Sequence, residues 1–465
     1  MKRLFFSSHQ SGHQKRRRQL LKFGLASSVT SCLSLLGMRP SFAVNRDVDV
    51  IVIGAGISGL AAAHALRAQG YEVLVLEAAS QIGGRLKTDW TLGAPVEIGA
   101  GWIHGPKGNP ITELATKVDG RSYITSDDNF VVFDANGMSV RETMIESKEE
   151  ELYRLFQKID DAFDGDQTLK EAIGRISSRS LSDPILKWML SAYTEFDTGG
   201  PIEQLSAYYF DEDEAYDGED VILTSGYDEI LTPLAEKGKI LLNHPVELIE
   251  YKEGDGASVY ANGQEFEASF VICTCPLGTL KRRSIKFDPA LPSTYQDRID
   301  RLGMGNVTKI ALNFEKAFWP EDVQYFGLMT EEKGRWNYFL NYRTFSDQNI
   351  LLGVCVGSYA QKVEMLSDRE MLADALVAIR TMFGEKVPNP IGQVITRWSK
   401  DTNTYGAYSF VKTGNKPADF DGLSEPVAGT LIFAGEHTTF KYHGTVHGAY
   451  LSGLEAAKRV MMLAE

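Results

Sequence analysis

Two stretches near opposite ends of the chain carry residues suited to holding one large phosphorylated cofactor. The first runs Gly54-Ala55-Gly56-Ile57-Ser58-Gly59, with Glu77 further on. At this spacing Gly54 permits a tight turn, and Gly56 lets the backbone approach a pyrophosphate at a helix N-terminus. Gly59 lets helix and strand pack closely. Gly83-Gly84-Arg85 follows. Such a turn can set an arginine beside phosphates, although alone it also reads as a loop with a surface arginine. The second stretch, Leu431 to Leu454, is again glycine-rich and contains Glu436, Thr445 and Val446. A second glycine-rich segment returning to the same site implies a cofactor gripped along its length, which points to FAD and flavin chemistry.

The elements needed to position these residues are legible. Val48 to Ile53 is a short β-branched run that reads as a buried parallel strand. Leu60 to Ala68 reads as a helix, and Glu72 to Leu76 as a second strand delivering Glu77 to a ribose. An acid at that strand end disfavours a 2′-phosphate, hence NADP. A glycine-rich connection in an ordinary βαβ unit is the plainer alternative. Beyond, Glu142 to Ser191 is helical by pattern, and Lys239 to Leu280 returns to strands with hairpin signals at Gly254-Asp255-Gly256 and Asn262-Gly263. Asn306 to Phe314 and Ile350 to Gly357 read as long strands of a second sheet, Ser367 to Phe383 as an amphipathic helix, and Gly444 to Ala464 as the last helix.

The chain has 465 residues, 43% of them hydrophobic, enough for two domains with cores of their own. The first 43 carry eight lysines and arginines and no acid. Arg17-Arg18-Gln19-Leu20-Leu21-Lys22 resembles a twin-arginine export signal, and Ser41-Phe42-Ala43 fits a cleavage site. A disordered basic tail is the alternative. Export would make the protein periplasmic or secreted and the twin-arginine machinery a partner. Removing this leader leaves 40 basic against 62 acidic residues, net −22. That balance disfavours nucleic acid and anionic membranes and suits a cationic substrate, though solubility alone also accounts for it. No later segment approaches the apolar length of a membrane span. Cys273, Cys275 and Cys355 lie in strand-like runs and read as core residues without a disulfide. No cysteine–histidine spacing suggests a metal.

An ordered set of motifs covers nearly all of the chain after the leader. It comprises Leu92 to Gly105 (LGAPVEIGAGWIHG), Val271 to Leu280 (VICTCPLGTL), Gly305 to Ile310 (GNVTKI), Arg397-Trp398, Gly406 to Ser409, Phe433 to Thr438 and Thr445 to Ala449. The set resembles the flavin-containing amine oxidases, most nearly the polyamine and spermine oxidases and the catalytic domain of lysine-specific histone demethylases. The resemblance implies an α/β fold with a Rossmann-type FAD-binding domain of the two-dinucleotide-binding-domain class, with an α+β substrate domain inserted in segments. Residues 44–125, 236–302 and 396–465 would form the first domain, and 126–235 and 303–395 the second.

It also implies roles. Glu77 would hold the adenosine ribose, Arg85 (after Gly84) a phosphate, and Val246 the adenine through its backbone. Gly101 and Trp102 would border the isoalloxazine, with Trp398 near its face. Glu436 would meet the ribityl-phosphate region, and Thr445 and Val446 would present the final helix N-terminus to the ring. There the helix dipole favours the negative charge of a reduced flavin. Lys309 would hold a water near flavin N5; by itself it reads equally as an outward-facing strand residue. Tyr408 would form one wall of an amine cage, where alone it reads as a core aromatic. The opposite wall is Thr445, where many relatives have tyrosine. His104 would face the substrate channel and bind or deprotonate the amine. Glu195 would grip a distal ammonium group, a task less suited to the Asp211 to Glu214 run, which reads as a solvated face.

The implied reaction is oxidation of a small cationic amine, of the spermidine and spermine class, by hydride transfer to flavin N5. Imine hydrolysis and reduction of oxygen to hydrogen peroxide would follow. The resemblance implies a non-covalent flavin, since relatives with a cysteinyl flavin carry a cysteine near the position of Trp398 and this chain has none there. An L-amino-acid oxidase of the same fold is the first alternative, with Arg335 or Arg343 as a carboxylate clamp. A non-catalytic FAD-binding partner protein is the second.

Overall fold

A computed structural model of the chain describes residues 47–162 and 165–465. The expected export signal, residues 1–43, lies outside them.

The first of two large sheets has a parallel centre. Its strands lie in the order Leu431–Phe433, Gln264–Cys273, Val48–Ile53, Val73–Leu76 and Lys239–Leu241. The period-2 alternation of Val48–Ile53 divides two cores. Ile51 and Ile53 face one cluster with Val271, Phe433 and Tyr295. Val50 and Val52 face the other, with Leu60 and Leu66 of the Ile57–Ala68 helix. Burial on both faces is why Val50 to Ile53 is an unbroken apolar run. The strands Val246–Lys252 and Gly256–Ala261 extend the sheet as antiparallel hairpins, turning at the two expected glycine signals. Val221, Leu223, Tyr227, Ile230, Leu231 and Leu234 also pack in the second cluster. They therefore sit against the nucleotide-type sheet, not with the substrate segment to which the sequence division assigns them.

The final helix, Val446–Leu463, crosses the first helix at close range. A Cβ on Gly453 would lie 2.1 Å from the Ser58 carbonyl, so only glycine allows this approach. Ser58 Oγ lies 3.2 Å from Ser452 Oγ, and the Ser452 hydroxyl accepts the Gly435 N–H at 2.8 Å. These contacts bring the two glycine-rich stretches to one place.

The second sheet has six strands, in the order Gly392–Ile395, Val307–Asn313, Ile350–Val356, Tyr338–Asn341, Tyr325–Leu328 and Phe130–Phe133. Every residue of Val307–Asn313 is buried. Ile310 and Leu312 face the helix Asp368–Phe383, while Val307 and Ala311 face a cluster containing Trp102 and Ala407. Alternation therefore puts Lys309, between Val307 and Ala311, on the Trp102 side. The expected helical stretch forms Glu142–Ala162, Leu169–Ser177 and Pro184–Met189, continued by a π-helical turn at Leu190–Glu195. Cys273, Cys275 and Cys355 are free thiols.

Candidate active site

A single cavity of about 540 Å³ runs between the two sheets, from Glu77 and Val246 at one end to Trp102, Lys309 and Tyr408 at the other. Its walls include every residue proposed from sequence for the flavin and the amine except Gly59 and Glu195.

At the first end, Gly54 takes φ +100°, and a Cβ there would meet Thr274 Oγ1 at 2.6 Å. Gly59 packs so tightly that a Cβ would lie 2.0 Å from the Gly54 carbonyl. Gly56 differs: a Cβ there would meet only the Gly83 carbonyl, at an ordinary contact distance of 3.9 Å. Gly56 is also the N-cap of the Ile57–Ala68 helix and supplies no side-chain cap, so the helix N-terminus opens on the cavity with its donors uncapped by a side chain. That cradle fits a pyrophosphate. Glu77 accepts from Ala55 N at 2.6 Å and Ala79 N at 2.8 Å, which fixes its carboxylate at the strand end. Burial nevertheless raises its carboxyl above the ordinary range. Val246 lines the same end.

In the middle of the cavity Arg85 donates to Glu436 Oε1 at 2.7 Å and to the Ala407 carbonyl at 2.9 Å. Glu436 also accepts from Ser409 and from Gly444 N at 3.0 Å. Burial works to raise its carboxyl, but the Arg85 guanidinium and these donors outweigh it and hold it at about 2. The carboxylate is therefore charged at any physiological pH. Thr445 caps the final helix: its Oγ1 accepts from Gly448 N at 2.9 Å and donates to the Tyr442 carbonyl at 2.7 Å. The hydroxyl is thus committed to the backbone while the residue lines the cavity beside Val446.

At the far end, Lys309 Nζ donates to the Gly99 carbonyl at 2.6 Å and the Glu97 carbonyl at 2.9 Å, and lies 5.5 Å from the Trp102 ring centre. Burial pulls its ammonium down to about 8, opposed by Glu97. Burial likewise pushes the Glu97 carboxyl up to about 8, against the hydrogen bonds from Tyr227 N and Thr88 Oγ1. A Cβ on Gly101 would lie 3.7 Å from Nζ. Trp398 donates Nε1–H to the Ile98 carbonyl at 3.0 Å, fixing its ring over the Ile98–Gly101 turn. The Tyr408 hydroxyl donates to the Phe196 carbonyl, and the Phe196 ring meets Trp102 edge-on at 6.1 Å. His104 holds Asp220 Oδ2 at 2.6 Å through Nδ1, and Gly105 N donates to Asp220 Oδ1 at 3.0 Å. Burial opposes ionisation of Asp220, but His104 overrides it and keeps the carboxyl well below its usual range.

Glu195 does not meet its expected role. It is fully buried off the cavity, ion-paired with Lys333 and accepting from Ile202 N at 2.8 Å. The π-helical turn rotates it inward, beneath Gly357. Glu214 of the acidic run pairs with Lys441, and none of that run lines the cavity. Sequence reasoning missed Glu97, Asp220 and Thr274. Thr274, whose Oγ1 donates to the Ile53 carbonyl at 2.7 Å, stood inside a recognised motif, as did Glu97. Asp220 carried no signal, because its partner is 116 residues away. Among the described residues, no group of three or more His, Cys, Asp or Glu could hold a metal, and no helix is long and apolar enough to cross a membrane.

Comparison with known proteins agrees with this geometry. Residues 57–461 match the model of the flavin containing amine oxidoreductases. The chain is 33% identical over 439 residues to polyamine oxidase 2 of Arabidopsis thaliana, covering 90% of this chain and 89% of that one. It is 35% identical over 458 residues to lysine-specific histone demethylase 1 homolog 2 of the same plant, covering 92% of this chain but only 61% of that one. The structure of putrescine oxidase bound to putrescine superposes with a TM-score of 0.76 at 23% identity, over 89% of this chain and 99% of that one, which shows a shared fold. The chain belongs to the flavin containing amine oxidoreductase family and is a flavin-dependent amine oxidase.

Proposed function

We propose that the protein binds FAD non-covalently and oxidises a polyamine of the spermidine and spermine class, releasing an aldehyde, a shorter amine and hydrogen peroxide. The observation that carries this reading is Lys309, a lysine on a fully buried strand, at the cavity end walled by Trp102, Trp398 and Tyr408. The cradle at Gly56 fits the pyrophosphate, Glu77 and Val246 the adenosine, and the Glu436 to Val446 turn the redox end. Bound there, FAD would supply the redox chemistry, the two-electron oxidation of the amine with oxygen as final acceptor.

The chain's own residues prepare the amine. Trp398 and Tyr408 are fixed by hydrogen bonds to backbone carbonyls, so the aromatic walls are set before substrate arrives. Their π-faces tolerate a cation. The reacting nitrogen must lose its proton, because an ammonium has no lone pair to assist C–H cleavage. His104, oriented by Asp220, is the cavity-lining group suited to take it. Lys309 commits two donors to Glu97 and Gly99; its remaining donor, or lone pair when neutral, holds a water for imine hydrolysis or the oxygen step.

The amino-acid oxidase alternative loses support. Arg335 is paired with Asp374 and Arg343 with Glu321, and neither lines the cavity. The retained Lys309, Trp398 and Tyr408 argue against a purely assembling flavoprotein. Export through a twin-arginine signal is proposed from residues 1–43 alone, and the two-domain division from the sequence pattern, with 221–234 moved to the nucleotide side. Oxygen uptake and product identification with spermidine, spermine, putrescine and L-amino acids test the function. Turnover of the polyamines with peroxide release is expected; turnover of L-amino acids alone would replace this reading with the alternative.

A further inference from the structure

We propose that Glu364 is a positioning residue for the amine-oxidising site, fixing the separation of Lys309 and Trp398 from outside the cavity; this rests on the reading of those two residues as parts of that site. Lys309 and Trp398 grip one turn. They take three successive carbonyls in alternation: Glu97 by Lys309 at 2.9 Å, Ile98 by Trp398 at 3.0 Å and Gly99 by Lys309 at 2.6 Å. The ammonium and the indole therefore keep their places only while their two segments hold one spacing. The segments are joined at Lys309 itself, whose N–H donates to Thr396 Oγ1 at 2.8 Å and whose carbonyl accepts from Thr396 N at 3.0 Å. The strand ladder between them runs from Asn313 and Gly392 to Ile310 and Ile395, so it stops short of Trp398.

Glu364 supplies the tie that the ladder lacks. It follows the helix Gly357–Val363, is fully buried, and reaches the residues beside both functional side chains. Thr308 Oγ1 donates to Oε1 at 2.9 Å. Ser399 donates to Oε2 through its hydroxyl and, at 3.0 Å, through its backbone N–H. Thr308 precedes Lys309 and points to the opposite face of the strand, while Ser399 follows Trp398. Arg397 adds a second link to the same segment, donating to the Leu366 carbonyl at 2.9 Å and pairing with Asp368 at 2.7 Å. None of Glu364, Thr308 and Ser399 lines the cavity. The three donors to Glu364 are neutral, and burying a carboxylate on neutral donors is costly. What the carboxylate provides is two acceptor oxygens, one for each of two segments far apart in sequence.

The test measures kcat, KM and flavin content of the flavin-loaded enzyme with Glu364→Leu, Glu364→Gln and Ser399→Ala. Asp374→Asn serves as a control, since Asp374 accepts from Arg335, Trp336 and Tyr359 away from the cavity. Leucine keeps the volume and accepts nothing. Its kcat should fall about tenfold, less than the about 10²-fold that a 1 Å misplacement can cost, with flavin retained and KM within about twofold. Glutamine can accept from Ser399 and donate to Thr308 Oγ1, leaving that hydroxyl to the Ala360 carbonyl 3.2 Å away, so it should recover most of the rate. Ser399→Ala, the milder cut if the leucine variant fails to fold, should show the same loss to a smaller degree. Asp374→Asn should lower the thermal midpoint and leave kcat unchanged. In a Lys309→Met background, Glu364→Leu should cost no more than about twofold further, because the two act on one step. Unchanged kcat in Glu364→Leu and Ser399→Ala, or the full loss repeated in the Lys309→Met background, would overturn the inference. The series is run with whichever of spermidine, spermine and putrescine the wild type oxidises, so a wrong polyamine overturns the substrate reading alone. A Lys309→Met enzyme as fast as wild type would overturn the role of Lys309 and this inference together.

Discussion

Arg85 Nη1 lies 2.7 Å from Glu436 Oε1, joining the two glycine-rich ends of the chain across 351 residues of sequence. Both were expected as separate cofactor contacts; the fold makes them one unit. Glu436→Ala should empty the site of flavin and destabilise the protein by about 2–4 kcal/mol, since it strands a partly buried guanidinium. Flavin absorbance and thermal midpoints measure this. The pH dependence has a definite sign. The Glu436 carboxyl is lowered to about 2 from 4.5, so its contribution is full above the unfolded value and is lost as pH falls through about 2. The stability gap between wild type and variant should therefore close in acid.

Lys309→Met removes the buried amine while keeping a long side chain. The variant should retain flavin and its spectrum, and turnover should fall by about 10²–10³-fold, the range for loss of a positioned proton or water contact. Because the folded-state ammonium is lowered from 10.5 to about 8, the unfolded chain binds more protons between those values. Wild-type stability should thus gain from this group as pH rises from 8 to 10.5, and the variant should lack that gain. Chemical denaturation at pH 7.5 and pH 10 reads it.

Asp220→Asn keeps the size of the residue that orients His104 but removes its charge. We expect kcat/KM to fall about tenfold or more with flavin retained, and Asp220→Glu to recover part of it. Unaltered steady-state kinetics with Asn would exclude the pair from substrate deprotonation.

How far the sequence disclosed this site depends on the range of each interaction. The Gly54–Gly59 turn, the strand before it and Glu77 follow from local spacing, so they were legible. Lys309 was marked only as an unexpected charge in a strand, and the family resemblance was needed to give it a role. Glu195 misled because its direction is set by a π-helical turn and by Lys333, 138 residues away, neither of which leaves a local mark. Asp220 was silent for the same reason. The 221–234 segment joined the nucleotide core through packing against the first helix, which no boundary signal announces.

Thr445 shows one residue meeting two demands. It lines the cavity, and its hydroxyl caps the final helix. Thr445→Ala should cost about 1 kcal/mol through the lost cap, seen in denaturant titration. Thr445→Ser should restore stability, which separates capping from any effect of the lost methyl group on substrate.

The central claim is that this cavity carries amine-to-flavin electron transfer. Anaerobic mixing of the flavin-loaded protein with spermidine, followed at the oxidised-flavin absorbance band, tests it most directly. Full bleaching by spermidine, with none by L-amino acids, is the predicted result; an oxidised spectrum that no amine changes would contradict the account.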